Sequence, residues 1–161
     1  MRMFALIAVA LAATGCSTLQ SGKVPDRFSG QAFAVNKDIR FLAGDYSVVF
    51  QKGQIVRGGG LTVWEKNCKF RMKEAQQESW VLEDGLYHIT GYTRFDANCT
   101  RQYCVDFQEF SLQTVEGPVA EKLTCREQYT IGDGSLGPEP VTADQLRITL
   151  GNYLELRQVG N

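Results

Sequence analysis

The sequence predicts a mainly β protein, a single antiparallel β-sandwich or barrel-like domain with one short C-terminal helix, placed after a signal peptide. Three observations carry this expectation. Short runs rich in Val, Ile, Phe, Tyr and Thr recur between breaks of Gly, Pro and Asp, which is the pattern of antiparallel strands joined by turns. Helix start and stop signals occur together at one place, Thr142 to Gly151. The chain also opens on an apolar run that stops at small residues, as secreted chains do.

In order, Met1-Arg2-Met3 gives a positive start, Phe4 to Ala13 an uncharged apolar stretch, and Thr14-Gly15 small residues at a cut site. A helix of about ten residues reaches only ~15 Å, whereas a bilayer core needs about 20 residues, so this stretch is a signal peptide and no permanent span. Residues 1–15 are the signal peptide, and residues 16–29 read as a lipidated tether. After Cys16 they are small, polar and interrupted by Pro25, and they reach ~45 Å when stretched. Residues 30–161 form one β-rich domain, since about 146 mature residues suit one domain.

Within it, "YSVVFQ" and "QIVRG" flank Lys52-Gly53 as a hairpin. Gly58-Gly59-Gly60 breaks the chain, and they lack the Lys-Ser/Thr of a phosphate loop. In "LTVWEKNCKFRM" the apolar parity switches between Val63 and Cys68, predicting a bulge near Glu65 to Asn67. Glu83-Asp84-Gly85 turns the chain into a strand from Leu86 to Phe95. "CVDFQEFSL" and "VAEKLTCREQYTI" follow on either side of Glu116-Gly117-Pro118, and "GDGSLGPEP" is a loop. Thr142-Ala143-Asp144-Gln145 fits a capping box and Gly151 a C-terminal stop. This favours a helix that buries Leu146 and Leu150 over a strand that also points Ile148 inward. "YLELRQV" closes the domain as a strand. About seven short strands result.

Acidic and basic residues nearly balance, at a net charge of −1, and no Lys/Arg cluster occurs. No nucleic-acid partner is expected from that distribution. Four cysteines fall in the domain, where secretion would let disulfides persist. Cys68 is in step with Phe70 and Met72, and Cys125 with Leu123, so both face a core. Cys99 and Cys104 flank "TRQY" at a hairpin end. The expected bridges are Cys68–Cys125 and Cys99–Cys104. A four-thiolate zinc site normally needs two close pairs, and only Cys99 and Cys104 are close, so no metal and no cofactor are expected.

Ala13-Thr14-Gly15-Cys16 resembles the lipobox of bacterial lipoproteins, with Ala13 where Leu is favoured. The resemblance implies cleavage before Cys16, acyl chains on Cys16 and membrane attachment through them. Ser17, where an Asp would retain the chain in the inner membrane, implies the outer membrane. "FLAGDYSVVFQKGQ", "CKF", "LEDGLYHITGY", "KLTC" and "LRITLGNYLEL" together resemble a group of small uncharacterised proteobacterial lipoproteins over most of residues 30–156. That resemblance carries no activity and no functional residue beyond Cys16.

A catalytic residue is not expected. His88 is the one histidine, so a Ser/His/Asp site would depend on it, and Ser135 in "GDGSLG" is not the nucleophile of G-x-S-x-G. Glu65, Glu83, Asp84, Asp106 and Glu109 are candidates for a carboxylate pair that cleaves cell-wall glycan, with nothing to select two of them. Asn98-Cys99-Thr100 fits a glycosylation sequon, which a bacterial chain would not use. Trp64, Trp80, Tyr87, Tyr92 and Tyr103 either pack a core or line an apolar cavity. The expectation is a lipid-anchored, disulfide-linked periplasmic domain without enzymatic activity, binding or scaffolding an envelope protein partner. A carrier of a small apolar ligand and a glycan hydrolase are the alternatives.

Overall fold

The computed structural model describes residues 20–131 and 139–159. The expected signal peptide, Cys16 and Ser135 lie outside the described residues. Among the described residues, eleven strands and one α-helix follow in chain order. They are β1 (Gln20–Gly22), β2 (Gln31–Val35), β3 (Ile39–Phe41), β4 (Ser47–Gln51), β5 (Gln54–Val56), β6 (Asn67–Met72) and β7 (Trp80–Leu82). Then come β8 (Leu86–Ala97), β9 (Tyr103–Glu116), β10 (Ala120–Thr130), α1 (Ala143–Leu150) and β11 (Leu154–Gln158). The main sheet is antiparallel and curls into a half-barrel in the order β11-β2-β8-β9-β10-β6-β4-β5. β1 adds to the end of β8 that β2 leaves free, and β3 and β7 pair separately.

Alternation decides which face is buried. On β9, Cys104, Asp106, Gln108, Phe110 and Leu112 point to the concave side, and the register sets Tyr92 of β8 and Leu123 of β10 beside Phe110. β6 continues the row, with Cys68 opposite Cys125 and Phe70 opposite Leu123. The concave face is filled by large side chains that are almost completely buried, among them Phe28, Phe33, Phe41, Phe50, Phe70, Tyr87 and Phe110. Phe110 is the hub, with edge-on contacts to Phe28 at 5.1 Å and Phe33 at 5.9 Å. Burying one such side chain is worth about 1.5–3 kcal/mol.

α1 covers the open side. Thr142 Oγ1 accepts from Gln145 N, and Gln145 Oε1 accepts from Thr142 N, which is a complete capping box. Leu146 and Leu150 enter the core while Ile148 stays outside at 65 % exposure, as a helical period requires and a strand would not allow. The β4–β5 turn docks on the helix end. Lys52 (φ 51°) and Gly53 (φ 73°) both take the left-handed conformation of a two-residue hairpin, and Gly53 N donates to Thr149 O. Gly151 (φ 61°) packs against that turn so closely that a Cβ would lie 2.6 Å from Gly53 O.

Three local expectations change. Residues 20–29 belong to the fold and are not a free tether. β1 is hydrogen-bonded to β8, and Phe28 is completely buried against Phe110. The predicted bulge at Glu65 to Asn67 is instead a loop over residues 61–66 that leads into β6 at Asn67. The Gln51 side chain accepts from Thr62 N and donates to Thr62 O, taking the place of a strand ladder there. The register shifts sit on β8, at Leu86/Tyr87 and Ile89/Gly91, and on β10 at Ala120/Lys122. β1, β2, β3 and β7 are strands that the count of about seven omitted.

Candidate functional surface

The half-barrel has two ends. One carries the β8–β9 hairpin, residues 98–102, and the other the β9–β10 hairpin, residues 117–119. At the first, the Cys99–Cys104 disulfide closes the hairpin, and Thr100 N donates to Tyr103 O. The Cys68–Cys125 disulfide joins directly facing residues of neighbouring β6 and β10 on the concave face. All four domain cysteines are thus bonded in pairs.

A polar chain runs beside that buried disulfide. Tyr92 Oη donates to Gln108 Oε1 at 2.8 Å, Gln108 Nε2 to Asp106 Oδ2 at 2.6 Å, and Arg94 Nε to Asp106 Oδ1 at 2.7 Å. Val141 N also donates to Gln108 Oε1, which ties the segment before α1 to the sheet. Burial holds the Tyr92 phenol above its ordinary pKa, although Arg94 and Arg27 pull it down. Asp106 and Gln108 are both buried, so their hydrogen bonds are satisfied inside the protein. The arrangement positions strands and the C-terminal segment.

The carboxylates considered for glycan cleavage do not meet. Glu65 pairs with Lys52 at the β4–β5 turn, and Glu83 and Asp84 are exposed in their own turn. Asp106 faces the concave side, while Glu109, three residues later, faces the convex side and bonds Lys122 and Thr124. His88 is half-buried on β8, level with Ala32 and Gln113.

The five aromatic candidates separate into three places. Tyr87 and Tyr92 are core residues. Burial, with Asp84 adding to it, pushes the Tyr87 phenol up to about 12. Trp64 and Tyr103 touch edge-on at 5.7 Å at the disulfide-closed end, with Trp64 62 % exposed. Trp80 stacks on Phe41 at 4.6 Å at the opposite end.

Trp80 belongs to a trough at that opposite end. Met72, Trp80, Pro118 and Val119 give it an apolar floor, and Lys73, Glu74 and Gln76 a polar rim around a volume of about 260 Å³. A shelf of about 640 Å³ along Gln77, Glu78 and Ser79 continues from it. Lys73 N donates to Val119 O, and Gly44 N to Gln76 O, so backbone bonds fix both walls. Val119 is 54 % exposed. Such a shallow surface of mixed polarity suits a macromolecular contact better than an enclosed small ligand. Glu116-Gly117-Pro118 reads only as a turn in the sequence. Its approach to Trp80 depends on strand pairing, so no local signal could have revealed the trough.

A second groove, about 290 Å³, lies between α1 and β11 and is lined by Asn36, Arg147, Leu150 and Glu155 among others. Among the described residues, no helix is long and apolar enough to cross a membrane, and no three of His, Cys, Asp and Glu converge as a metal site. No family model matches the chain, and no curated protein or solved structure is significantly similar to it.

Proposed function

We propose that this chain is a lipid-anchored cell-envelope protein, attached through acyl chains on Cys16 to the outer membrane and facing the periplasm. Its role is non-enzymatic, binding or scaffolding an envelope protein partner. The observation that carries the role is the filled concave face. A carrier of an apolar ligand needs an empty interior, whereas Phe28, Phe33, Phe70, Phe110 and Leu146 pack into this one with their side chains fully buried. The separation of Asp106 from Glu109 on opposite faces counts against a glycan hydrolase. The two disulfides support an oxidising compartment. The trough around Trp80 and Val119 is the surface favoured for the partner.

Intact and native mass spectrometry of the membrane-extracted protein tests this reading. The expected denatured mass lacks residues 1–15 and gains acyl groups, and Cys16→Ser loses both changes. The expected native mass contains no stoichiometric apolar ligand. A non-acylated protein would overturn the anchor, and a ligand carried one-to-one would overturn the scaffold in favour of the carrier. Photo-crosslinking from position 119 in intact cells addresses the partner surface. A discrete protein adduct is expected there, with none from position 88 on the side of the barrel.

A further inference from the structure

We infer that the end of the half-barrel closed by the Cys99–Cys104 disulfide lies against the bilayer surface, with Trp64 and Tyr103 in the lipid headgroup region. This rests on the proposal that Cys16 is acylated, and adds to it an orientation and a contact surface.

The direction of β1 carries the argument. β1 runs antiparallel to β8, with Gln20 level with Arg94 and Gly22 level with Tyr92. The N-terminal end of β1 at Gln20 therefore points towards Ala97 and the residue 98–102 hairpin. Four residue steps separate Cys16 from Gln20. They extend at most ~14 Å. From Arg94 to Ala97, the last residue of β8, is three strand steps, or ~10 Å. From Arg94 back to Leu86, at the other end of β8, is eight steps, or ~27 Å. The acylated cysteine can thus reach the disulfide-closed end but not the trough end. Had residues 16–29 been a free tether, this constraint would vanish.

The surface found at the reachable end has the composition of a membrane-interface anchor. Trp64 is 62 % exposed, and its neighbour Val63 is 45 % exposed. Tyr103 meets the Trp64 ring edge-on. Ile131, 41 % exposed, is joined to the same hairpin through its N–H to Gln102 O. Arg101 is exposed at the hairpin tip, where a lipid phosphate can accept from it. Tryptophan and tyrosine are favoured at headgroup depth because their rings are apolar at one end and hydrogen-bonding at the other. A patch of this kind in water costs free energy, and lipid contact removes part of that cost. The consequence is that the Trp80–Val119 trough faces away from the membrane, open to a partner in the periplasm.

The two tryptophans make this directly measurable, since one stands at each end. The acylated protein is purified and reconstituted into phosphatidylethanolamine/phosphatidylglycerol vesicles made with and without bromine-labelled acyl chains, which quench nearby indoles. The Trp80→Phe protein, reporting Trp64 alone, is expected to lose most of its emission in brominated vesicles. The Trp64→Phe protein, reporting Trp80 alone, is expected to keep it. Trp64 is exposed, so Trp64→Phe serves even if Trp80→Phe folds poorly, because the unsubstituted protein must then lose its quenching on that one change. Vesicle-bound, acylated protein with unquenched Trp64 would overturn the orientation while leaving the anchor intact. Trp64 emission that depends on protein concentration and not on bromine would show a second copy covering the patch, and would equally overturn it. Protein that is not acylated and does not bind vesicles would overturn the anchor itself.

Discussion

Replacing both partners of one disulfide by alanine should separate the two bridges sharply. Cys68 and Cys125 stand 57 positions apart, whereas Cys99 and Cys104 stand 5 apart. Loop-closure entropy gives ~4 kcal/mol for the long bridge and ~2 kcal/mol for the short one. The surroundings widen the difference. Cys68 and Cys125 are 0 % and 2 % exposed, facing Phe50 on one side and Gln108 on the other, so the lost sulfurs leave a void worth a further ~1–2 kcal/mol. Cys104 is also buried, but Cys99 is exposed, so less packing is lost there. Cys68→Ala/Cys125→Ala should therefore cost ~5–6 kcal/mol and Cys99→Ala/Cys104→Ala ~2–3 kcal/mol, against a typical stability of ~5–15 kcal/mol. At about 2–4 °C per kcal/mol, the melting temperature should fall by ~10–20 °C in the first case and ~5–10 °C in the second. Urea and thermal unfolding followed by circular dichroism read both quantities. An equal or larger loss from the short bridge would refute the reasoning. Non-reducing peptide maps that join Cys68 to Cys99 or Cys104 would refute it more directly.

Gly151→Ala should destabilise the protein by ~2–4 kcal/mol, because a Cβ would lie 2.6 Å from Gly53 O and the backbone holds a positive φ. Urea midpoints measure this, and a loss below half a kcal/mol would mean that the turn moves freely off the helix. Asp106→Ala should cost ~3 kcal/mol, since Arg94 and Gln108 each lose a charged acceptor inside the concave face. Hydrogen exchange should show the added opening first at Val141, whose own bond runs to Gln108. Tyr87 makes stability fall at alkaline pH. The unfolded phenol ionises near pH 10 and the folded one at about 12, so between these values the unfolded state has lost a proton that the folded state keeps. The contribution is complete below pH 10 and declines by ~2–3 kcal/mol as pH rises to 12. Tyr87→Phe should make the urea stability measured at pH 9 and pH 11 differ less than in the unsubstituted protein, and an unchanged difference would exclude Tyr87 as the cause. Its hydroxyl has no hydrogen-bond partner among the described residues, so at pH 7 the same substitution should be neutral or slightly stabilising.

Features that depend on near neighbours are legible in the order of residues alone. Alternation around Cys68, Phe70 and Met72 and around Leu123 and Cys125 states which face of each strand is buried, because side chains alternate wherever the strand is placed. Thr142 and Gln145 announce the helix because a capping box closes within one turn. Lys52-Gly53 announces the hairpin for the same local reason. Features that depend on distant segments meeting emerge only in the folded chain. Residues 17–29 are polar and lack a periodic apolar pattern, yet β8 extends past the reach of β2 and leaves a free edge for β1, and Phe110 supplies a place for Phe28. Trp64 and Trp80 look alike in sequence, and both are candidates for a core or a cavity. Their positions at opposite ends of the half-barrel follow from strand order. Strand order is set by hydrogen bonding and burial between segments dozens of residues apart, and no local pattern encodes which edge another segment will find.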